Sequence, residues 1–184
     1  DYRHLSETLI GATEETTTGT TRLRDSIKCN DFPTLSINDT QTKRIVENRF
    51  GVGSSVVDGL MRATNVMLHG KHVVVIGYGY CGAGVAQRLR GMGAHITVVE
   101  QDPLSLLEAH LEGFRTSPLE DCIPAAQMII TVTGYDNILR REHFEAMRSG
   151  VIVANAGHFA SEIDVPALEE LSDSKREIRS EITE

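Results

Sequence analysis

The stretch VVVIGYGYCGAG, residues 73–84, decides the fold of this chain. An apolar, β-branched run is followed by three glycines spaced G-x-G-x-x-G, namely Gly77, Gly79 and Gly82. The run predicts a strand buried on both faces, and the apolar spacing after the glycines predicts a helix. The glycine spacing is a weak signal by itself, but a strand, a glycine turn and a helix in this order are typical of a nucleotide-binding turn.

Strands and helices alternate along the rest of the chain. One helix is predicted to begin at Asp102-Pro103, where a capping acid precedes a proline at the first helical position. Alternation of this kind produces right-handed βαβ units. The sequence therefore predicts an α/β fold with a doubly wound parallel sheet. The predicted strands are residues 72–77, 95–100, 127–134 and 151–157.

Capping residues indicate where other helices begin and end. Asn38, Asp39 and Thr40 offer capping side chains ahead of a predicted helix at residues 41–50. Apolar spacing predicts a second helix at 55–68, which we expect to end at Gly70. The sequence SPLE at 117–120 predicts a capping box.

Glu100 lies at the end of the second predicted strand, 23 residues after Gly77. In dinucleotide-binding folds, an acid about 20 residues after the glycine turn hydrogen-bonds the ribose hydroxyls. A carboxylate at this position also repels a 2′-phosphate, so the sequence favours NAD over NADP. The alternative is a βαβ turn without a ligand, which the intact spacing disfavours.

Composition excludes several classes of partner. The net charge of −8 argues against nucleic acid or an anionic membrane, because both attract basic patches. The apolar runs are shorter than the roughly 20 residues that cross a bilayer, and the N-terminus lacks a signal-peptide pattern, so we expect a cytoplasmic location. No spacing predicts a metal site, and Cys29, Cys81 and Cys122 are predicted to be reduced thiols.

Two polar stretches before the glycine turn are open to two interpretations each. TEETTTG, residues 13–19, is either a site for ribose hydroxyls or a carboxamide, or a solvated loop, which composition favours. Lys43 and Glu47 are spaced i, i+4, with Asn48 next. They form either a surface pair worth about 0.3–0.5 kcal/mol or an active-site lysine tuned by a carboxylate. The spacing alone favours the surface pair.

Polar residues also follow the later strands. Asn155 and His158 come after the fourth predicted strand, and Thr133 ends the third. Ligands of open α/β sheets bind outside the carboxyl ends of the strands, so these residues are candidates for contact with the dinucleotide. A structural or solvated His158 is equally well supported. Cys81, inside the glycine turn, is expected to be a packed small residue, and the other histidines, His143 among them, are assigned no role.

Taken together, these stretches resemble the S-adenosylhomocysteine hydrolase family, the NAD-dependent adenosylhomocysteinases. The matching stretches occur in the family's order and cover roughly residues 13–171. Several independent motifs agree, which makes the resemblance specific. The stretches are EETTTG, INDTQTK…EN, DGLMRATNVMLHGKHVVVIGYG, GMGAHITVVEQDP, ITVTG, ANAGHF and EIDV.

The resemblance implies a reaction and a set of roles. In the family, NAD oxidises the 3′-hydroxyl of the nucleoside, the thiol leaves by elimination, water adds, and the ketone is reduced again. Lys43 is then implied to move a proton at the 3′-hydroxyl, with Glu47 beside it, and Glu15 to face the substrate. The remaining implied contacts are Thr16, Thr17 and Thr18 with the nicotinamide ribose, Asn48 near the nicotinamide, Gly77, Gly79, Gly82 and Glu100 with the dinucleotide, and the later polar pair Asn155 and His158.

The chain departs from the family pattern at several positions. Glu47 stands where the family usually has an aspartate, and the extra methylene is expected to displace the carboxylate by about an ångström, which would slow catalysis. Val52 stands where a cysteine is frequent. Tyr80 and Ala83 stand where an acid and a lysine are common.

Family members are more than twice as long as this chain. The resemblance implies that residues 1–69 are a remnant of the substrate domain with its hinge helix, 70–171 the NAD-binding domain and 172–184 a tail. We expect a homo-oligomer, a small-molecule nucleoside substrate and no turnover by the chain alone. The alternatives are an NAD-holding homologue without turnover, an enzyme for another nucleoside thioether, and a 2-hydroxy-acid dehydrogenase domain, which NDTQTK disfavours.

Overall fold

The computed structural model of this protein describes residues 8–25, 32–180 and 182–184. Cys29, predicted to be a reduced thiol, lies outside these described residues. The chain forms two compact units, Asp1–Glu47 and Asn48–Glu184, which are treated separately below. The functional division at residues 69 and 171 stays a prediction.

The first unit contains a small parallel sheet and a helix. Strands β1 (Ala12–Glu14) and β2 (Thr34–Ser36) pair with Thr13 opposite Leu35. Helix α1 (Thr17–Asp25) begins inside the threonine cluster. The loop that composition favours for residues 13–19 is confined to Glu15 and Thr16, because β1 ends at Glu14 and α1 begins at Thr17.

A series of helical elements follows β2. Of the three predicted capping residues, Thr40 is the one that caps α2, since its hydroxyl accepts a hydrogen bond from the Lys43 N–H at 3.3 Å. The elements are a 3₁₀ turn (Ile37–Asp39), α2 (Gln41–Lys43), a π-helical segment (Arg44–Gly51) and α3 (Val52–Thr64).

The predicted helix at 55–68 is wrong at both ends. Helical structure precedes it without a break, and α3 ends at Thr64. Asn65 adopts the left-handed conformation, with φ of 53°, and its N–H bonds to the carbonyl of Met61. Asparagine tolerates this conformation better than most residues, so the chain leaves the helix before the expected stop at Gly70.

The second unit is built on a five-stranded parallel sheet in the order β5-β4-β3-β6-β7. The predicted α/β, doubly wound, Rossmann-type fold is confirmed. The short strand β5 was not predicted, and a separate antiparallel hairpin forms near the C-terminus. The strands are β3 (His72–Ile76), β4 (His95–Val99), β5 (Arg115–Thr116), β6 (Met128–Thr131), β7 (Ile152–Asn155), and, in the hairpin, β8 (Glu177–Arg179) and β9 (Ile182–Thr183).

Helices cover both faces of this sheet. Asp102 caps α5 as predicted, with its carboxylate accepting from the Ser105 N–H at 2.8 Å. The capping box at 117–120 is wrong, because α6 begins after Pro118 with no side-chain cap. The helices are α4 (Tyr80–Gly91), α5 (Pro103–Leu111), α6 (Leu119–Cys122), α7 (Arg141–Ala146) and α8 (Val165–Leu171), with 3₁₀ turns at Ile123–Ala125 and Ala160–Glu162.

The core has two layers, one on each side of the sheet. Alternate residues of β3 face opposite sides, so Val73 and Val75 pack in one layer and Val74 and Ile76 in the other. Leu89 of α4 is fully buried in the first layer. A strand with both faces buried reads as the continuous apolar run seen in the sequence.

Candidate cofactor site

The glycine turn joins β3 to α4. Gly77 has φ of 100°, and a Cβ atom there would lie 2.8 Å from the carbonyl oxygen of Val132. A Cβ on Gly82 would overlap the carbonyl oxygen of Gly77, whereas one on Gly79 would meet nothing within 4 Å. Gly77 and Gly82 are therefore required by the turn itself, and Gly79 leaves open space beside it.

The start of α4 suits an anion. Gly79 is the N-cap residue and provides no side-chain cap. The N-terminus of a helix carries partial positive charge and directs backbone N–H groups outward, which is how such turns receive a pyrophosphate. A side chain at position 79 would fill the space from which a phosphate would approach.

Glu100 follows β4 and faces the glycine turn. Its carboxylate accepts hydrogen bonds from the backbone N–H groups of Tyr78 and Gln101, both at 2.6 Å, and of Asp102 at 3.0 Å. These bonds hold the carboxylate next to the turn. The arrangement fits a group that receives ribose hydroxyls, and ribose binding itself stays a prediction.

A hydrogen-bonded network centred on Glu112 holds Tyr78, which lies within the glycine turn. The buried Tyr78 hydroxyl donates to Glu112 Oε2 at 3.0 Å, and Gln87 donates to the same oxygen at 2.6 Å. Arg49 binds the other carboxylate oxygen at 2.6 Å. Burial and the bond to Glu112 raise the pKa of Tyr78. Burial alone would raise the pKa of Glu112, but its three partners together lower it.

A cavity of about 980 Å³ opens at the carboxyl ends of β3, β4 and β6. Its volume lies within the range that ligand pockets occupy in other proteins. The glycine turn and Glu100 form one part of its wall, and the segment that follows β6 forms another. Representative lining residues are Gly77, Gly79, Glu100, Thr133, Asn137 and His143.

The polar residues after β6 and β7 differ in their placement. Thr133 lines the cavity, but Asn155 and His158 do not. The Asn155 amide shapes its own loop, since it accepts from the Gly157 N–H at 2.7 Å and donates to the carbonyl of Phe159 at 2.6 Å. His158 is exposed and packs edge-on against Phe159.

His143 lines the cavity and was given no role from the sequence. It is buried in α7, and its Nδ1 accepts the Arg140 N–H at 3.0 Å. A nitrogen that accepts a hydrogen bond carries no proton in the neutral ring, so the proton lies on Nε2. No local signal distinguishes His143 from a structural histidine, because its approach to the cavity depends on the position of α7.

The first unit brings several of its predicted residues together. Lys43 Nζ lies 2.6 Å from Glu47 Oε2 and 3.4 Å from Asn38 Oδ1, and the Thr17 hydroxyl lies 3.3 Å from the same Asn38 oxygen. The Lys43 side chain is only 12% exposed but the Glu47 side chain is 48% exposed, so the lysine end of the pair is shielded from solvent and the carboxylate end is not. Glu15 is exposed.

The remaining threonines lie at the start of α1. The Thr16 hydroxyl bonds to Glu14 at 2.7 Å and accepts the Gly19 N–H at 2.9 Å. Thr18 is half-buried within the helix. In the second unit, Asn48 is buried in the π-helical segment.

Fold and site together define a dinucleotide-binding domain of the Rossmann type. Dipicolinate synthase A chain from Bacillus subtilis superposes with a TM-score of 0.71 at 14% identity, over 92% of this chain and 57% of that one. D-lactate dehydrogenase from Escherichia coli gives a TM-score of 0.56 at 19% identity, over 80% and 51%. At such low identity these structures share the fold alone.

Sequence relatives identify the family. The family model of the S-adenosyl-L-homocysteine hydrolase NAD binding domain matches residues 48–184. Adenosylhomocysteinase of Aquifex aeolicus (strain VF5) is 51% identical over 186 residues, which cover 100% of this chain and 44% of the relative. S-inosyl-L-homocysteine hydrolase of Methanopyrus kandleri is 49% identical over 179 residues, which cover 95% and 42%.

The chain belongs to the S-adenosylhomocysteine hydrolase family and carries its NAD-binding domain. The predicted family and the predicted cofactor, NAD, are thereby confirmed. The chain spans less than half the length of these curated relatives. Across the described residues, no helix combines the length and apolarity that a membrane span requires.

Proposed function

We propose that this chain forms the NAD-binding part of an enzyme that cleaves S-adenosylhomocysteine to adenosine and homocysteine. The observation that carries the proposal is the cavity at the carboxyl ends of β3, β4 and β6, bounded by the glycine turn and Glu100. It occurs in a chain about half of whose residues are identical to those of adenosylhomocysteinases.

The residues of the cavity fit NAD. Gly79 leaves room at the uncapped start of α4 for the pyrophosphate, and Glu100 is placed to accept the hydroxyls of the adenosine ribose. Thr133 lines the opposite part of the wall. When bound, NAD supplies the reversible oxidation of the substrate 3′-hydroxyl that the family reaction needs.

Lys43 is our candidate for holding and moving the proton at the substrate 3′-hydroxyl. Its side chain is largely buried, and its ammonium group contacts Glu47 and Asn38. The 2.6 Å ion pair forms although Glu47 is a methylene longer than the usual aspartate. Glu15 is proposed to face the substrate, and Thr16, Thr17, Thr18 and Asn48 to contact the cofactor. Asn155 and His158 are proposed to contact the dinucleotide, which requires the loop after β7 to approach it.

A second candidate function differs in the base of the substrate. Two curated relatives, from Methanopyrus kandleri at 49% identity and Methanocaldococcus jannaschii at 46%, are named S-inosyl-L-homocysteine hydrolase. S-inosylhomocysteine is therefore the first alternative to test. The third candidate function is that of a homologue that binds NAD without turnover. For the whole protein we propose a cytoplasmic homo-oligomer.

Isothermal titration of the chain with NAD and with NADP tests cofactor binding. We expect NAD to bind and NADP to bind at least tenfold more weakly, because Glu100 repels the 2′-phosphate. Gly79→Val should weaken NAD binding at least tenfold without lowering the melting temperature, since a Cβ at this position meets nothing within 4 Å. Gly91→Ala, at a second open position in α4, is the matched control and should bind like the wild type. Failure of the wild type to bind NAD would refute the proposal.

Turnover needs a separate test, because the chain alone is expected to hydrolyse nothing. We would replace the corresponding segment of the Aquifex aeolicus enzyme with this chain and assay both nucleoside thioethers. Activity that is lost in Lys43→Ala supports a catalytic parent protein, and the preferred thioether identifies the base. A folded chimera that binds NAD but is inactive favours the homologue without turnover.

A further inference from the structure

Glu162 is a fully buried carboxylate with no role in the chemistry above. It ends the 3₁₀ turn Ala160–Glu162 and is 0% exposed. Its Oε2 accepts from the N–H and the hydroxyl of Thr133, both at 3.0 Å, and its Oε1 accepts from the Gly134 N–H at 2.8 Å. Burial of a carboxylate is costly unless hydrogen bonds or charges compensate it. Here hydrogen bonds from one short loop provide the compensation.

The same residue also holds the far end of that loop. The Glu162 carbonyl accepts from the N–H groups of Ile138 and Leu139 at 2.9 and 3.0 Å. The segment 133–139 is therefore tied to Glu162 at both ends. Most of this segment lines the cavity, so Glu162 lies directly behind one of the cavity walls.

The carboxylate also abuts the loop after β7. A Cβ atom on Gly157 would overlap Glu162 Oε1, so the glycine permits the carboxylate to sit where it does. The loops after β6 and β7 thus share one buried group. Their relative placement follows from the position of Glu162.

The strand order indicates which end of a dinucleotide these loops would meet. β3 is central, with β4 and Glu100 on one side and β6 and β7 on the other. If the adenosine ribose binds at Glu100, the remainder of the dinucleotide extends past the glycine turn towards the loops after β6 and β7. Thr133, which comes first in the segment held by Glu162, then lies on the nicotinamide side of the glycine turn.

We propose that Glu162 is a positioning residue for the nicotinamide end of NAD, acting through the backbone of Thr133 and Gly134. The proposal rests on the proposed binding of NAD in this cavity. A carboxylate is required because each of its oxygens receives a backbone N–H. In Glu162→Gln, the amide NH₂ must face the N–H of either Thr133 or Gly134, which pushes the loop out of place.

Titration of the chain and of Glu162→Gln with NAD and with ADP-ribose tests this role. ADP-ribose lacks the nicotinamide ring but keeps the groups that would bind the glycine turn and Glu100. We expect the Kd for NAD to rise at least tenfold and the Kd for ADP-ribose to rise less than threefold. Equal weakening of both ligands, or no weakening of either, would overturn the proposal.

Gly157→Ala provides a second variant that leaves Glu162 in place and remains decisive if Glu162→Gln does not fold. Its Cβ would displace the carboxylate, so the same selective loss of NAD affinity is expected. Gly91→Ala, where a Cβ meets nothing within 4 Å, should bind both ligands like the wild type. If the wild type binds ADP-ribose but not NAD, the proposed function fails at the nicotinamide end. If it binds neither, both proposals fail.

Discussion

Two glycines in α3 offer a test of how closely the second unit is packed. Gly53 is buried, and a Cβ there would lie 2.5 Å from the carbonyl oxygen of Gly84 in α4, where real Cβ contacts are essentially never under 3.0 Å. Gly59, in the same helix, is exposed and has nothing within 4 Å. The same substitution at these two positions should therefore change stability in opposite directions.

The expected magnitude is set by two opposing effects. Replacing glycine by alanine inside a helix stabilises it by about 0.5–1 kcal/mol. Overpacking a close backbone contact costs about 1–3 kcal/mol, and at Gly53 the obstacle is backbone that no rotamer change removes. We expect Gly53→Ala to destabilise the chain by about 2 kcal/mol and Gly59→Ala to stabilise it by about 0.5–1 kcal/mol.

Urea unfolding and thermal melting measure both variants against the wild type. A loss of about 2 kcal/mol lowers the melting temperature of a chain of this size by about 4–8 °C. Gly59→Ala should raise it by about 1–4 °C. A Gly53→Ala variant as stable as the wild type, or equal destabilisation in both variants, would refute the close contact of Gly53 with Gly84.

Three further predictions concern the site and its support. Glu100→Ala should reduce the preference for NAD over NADP by about tenfold in paired titrations, because charged hydrogen bonds contribute about 1.5–3 kcal/mol; equal weakening of both cofactors would contradict this role. Tyr78→Phe should cost about 1 kcal/mol in urea unfolding, through loss of the bond to Glu112, whereas Tyr135→Phe at an exposed position should cost nothing measurable. The pKa of Glu112 is lowered from its ordinary value of 4.5, so its stabilisation is complete above that pH and is lost as the pH falls through the folded-state pKa. As the pH falls below 4.5, Glu112→Gln should therefore lose less stability than the wild type, and an identical pH dependence would refute the assignment.

Much of the second unit could be predicted from local pattern. Residues 73–76 of β3 form a continuous apolar run because both of their faces are buried, and β6 is likewise buried throughout, whereas β4 and β7 are only partly buried. The glycine turn was readable because a positive φ and a close backbone approach leave no alternative to glycine at Gly77 and Gly82. Glu100 was predicted as the ribose-binding acid from its spacing of 23 residues after Gly77, since a βαβ unit has a nearly fixed length.

Element ends were less predictable. The strand expected at 127–134 stops at Thr131, because the N–H groups of Thr133 and Gly134 bond to the Glu162 side chain instead of a neighbouring strand. The end of α3 at Thr64 depends on the conformation of Asn65. The end of a strand or helix is thus set by single residues, whereas hydrophobic periodicity is read over many residues and does not locate the end.

The sequence by itself determined the class of fold, the glycine turn, the position of Glu100 after β4, and the resemblance to the family, because strand and helix periodicity and motif spacing act over short stretches of chain. Only the tertiary structure decided that His143 lines the cavity, that Asn155 is engaged by its own loop, that Lys43 is largely buried and that Glu162 holds the loop after β6. Each of these depends on partners brought together by the packing of separate elements, or on burial that such packing creates, and neither leaves a periodic signal in the sequence.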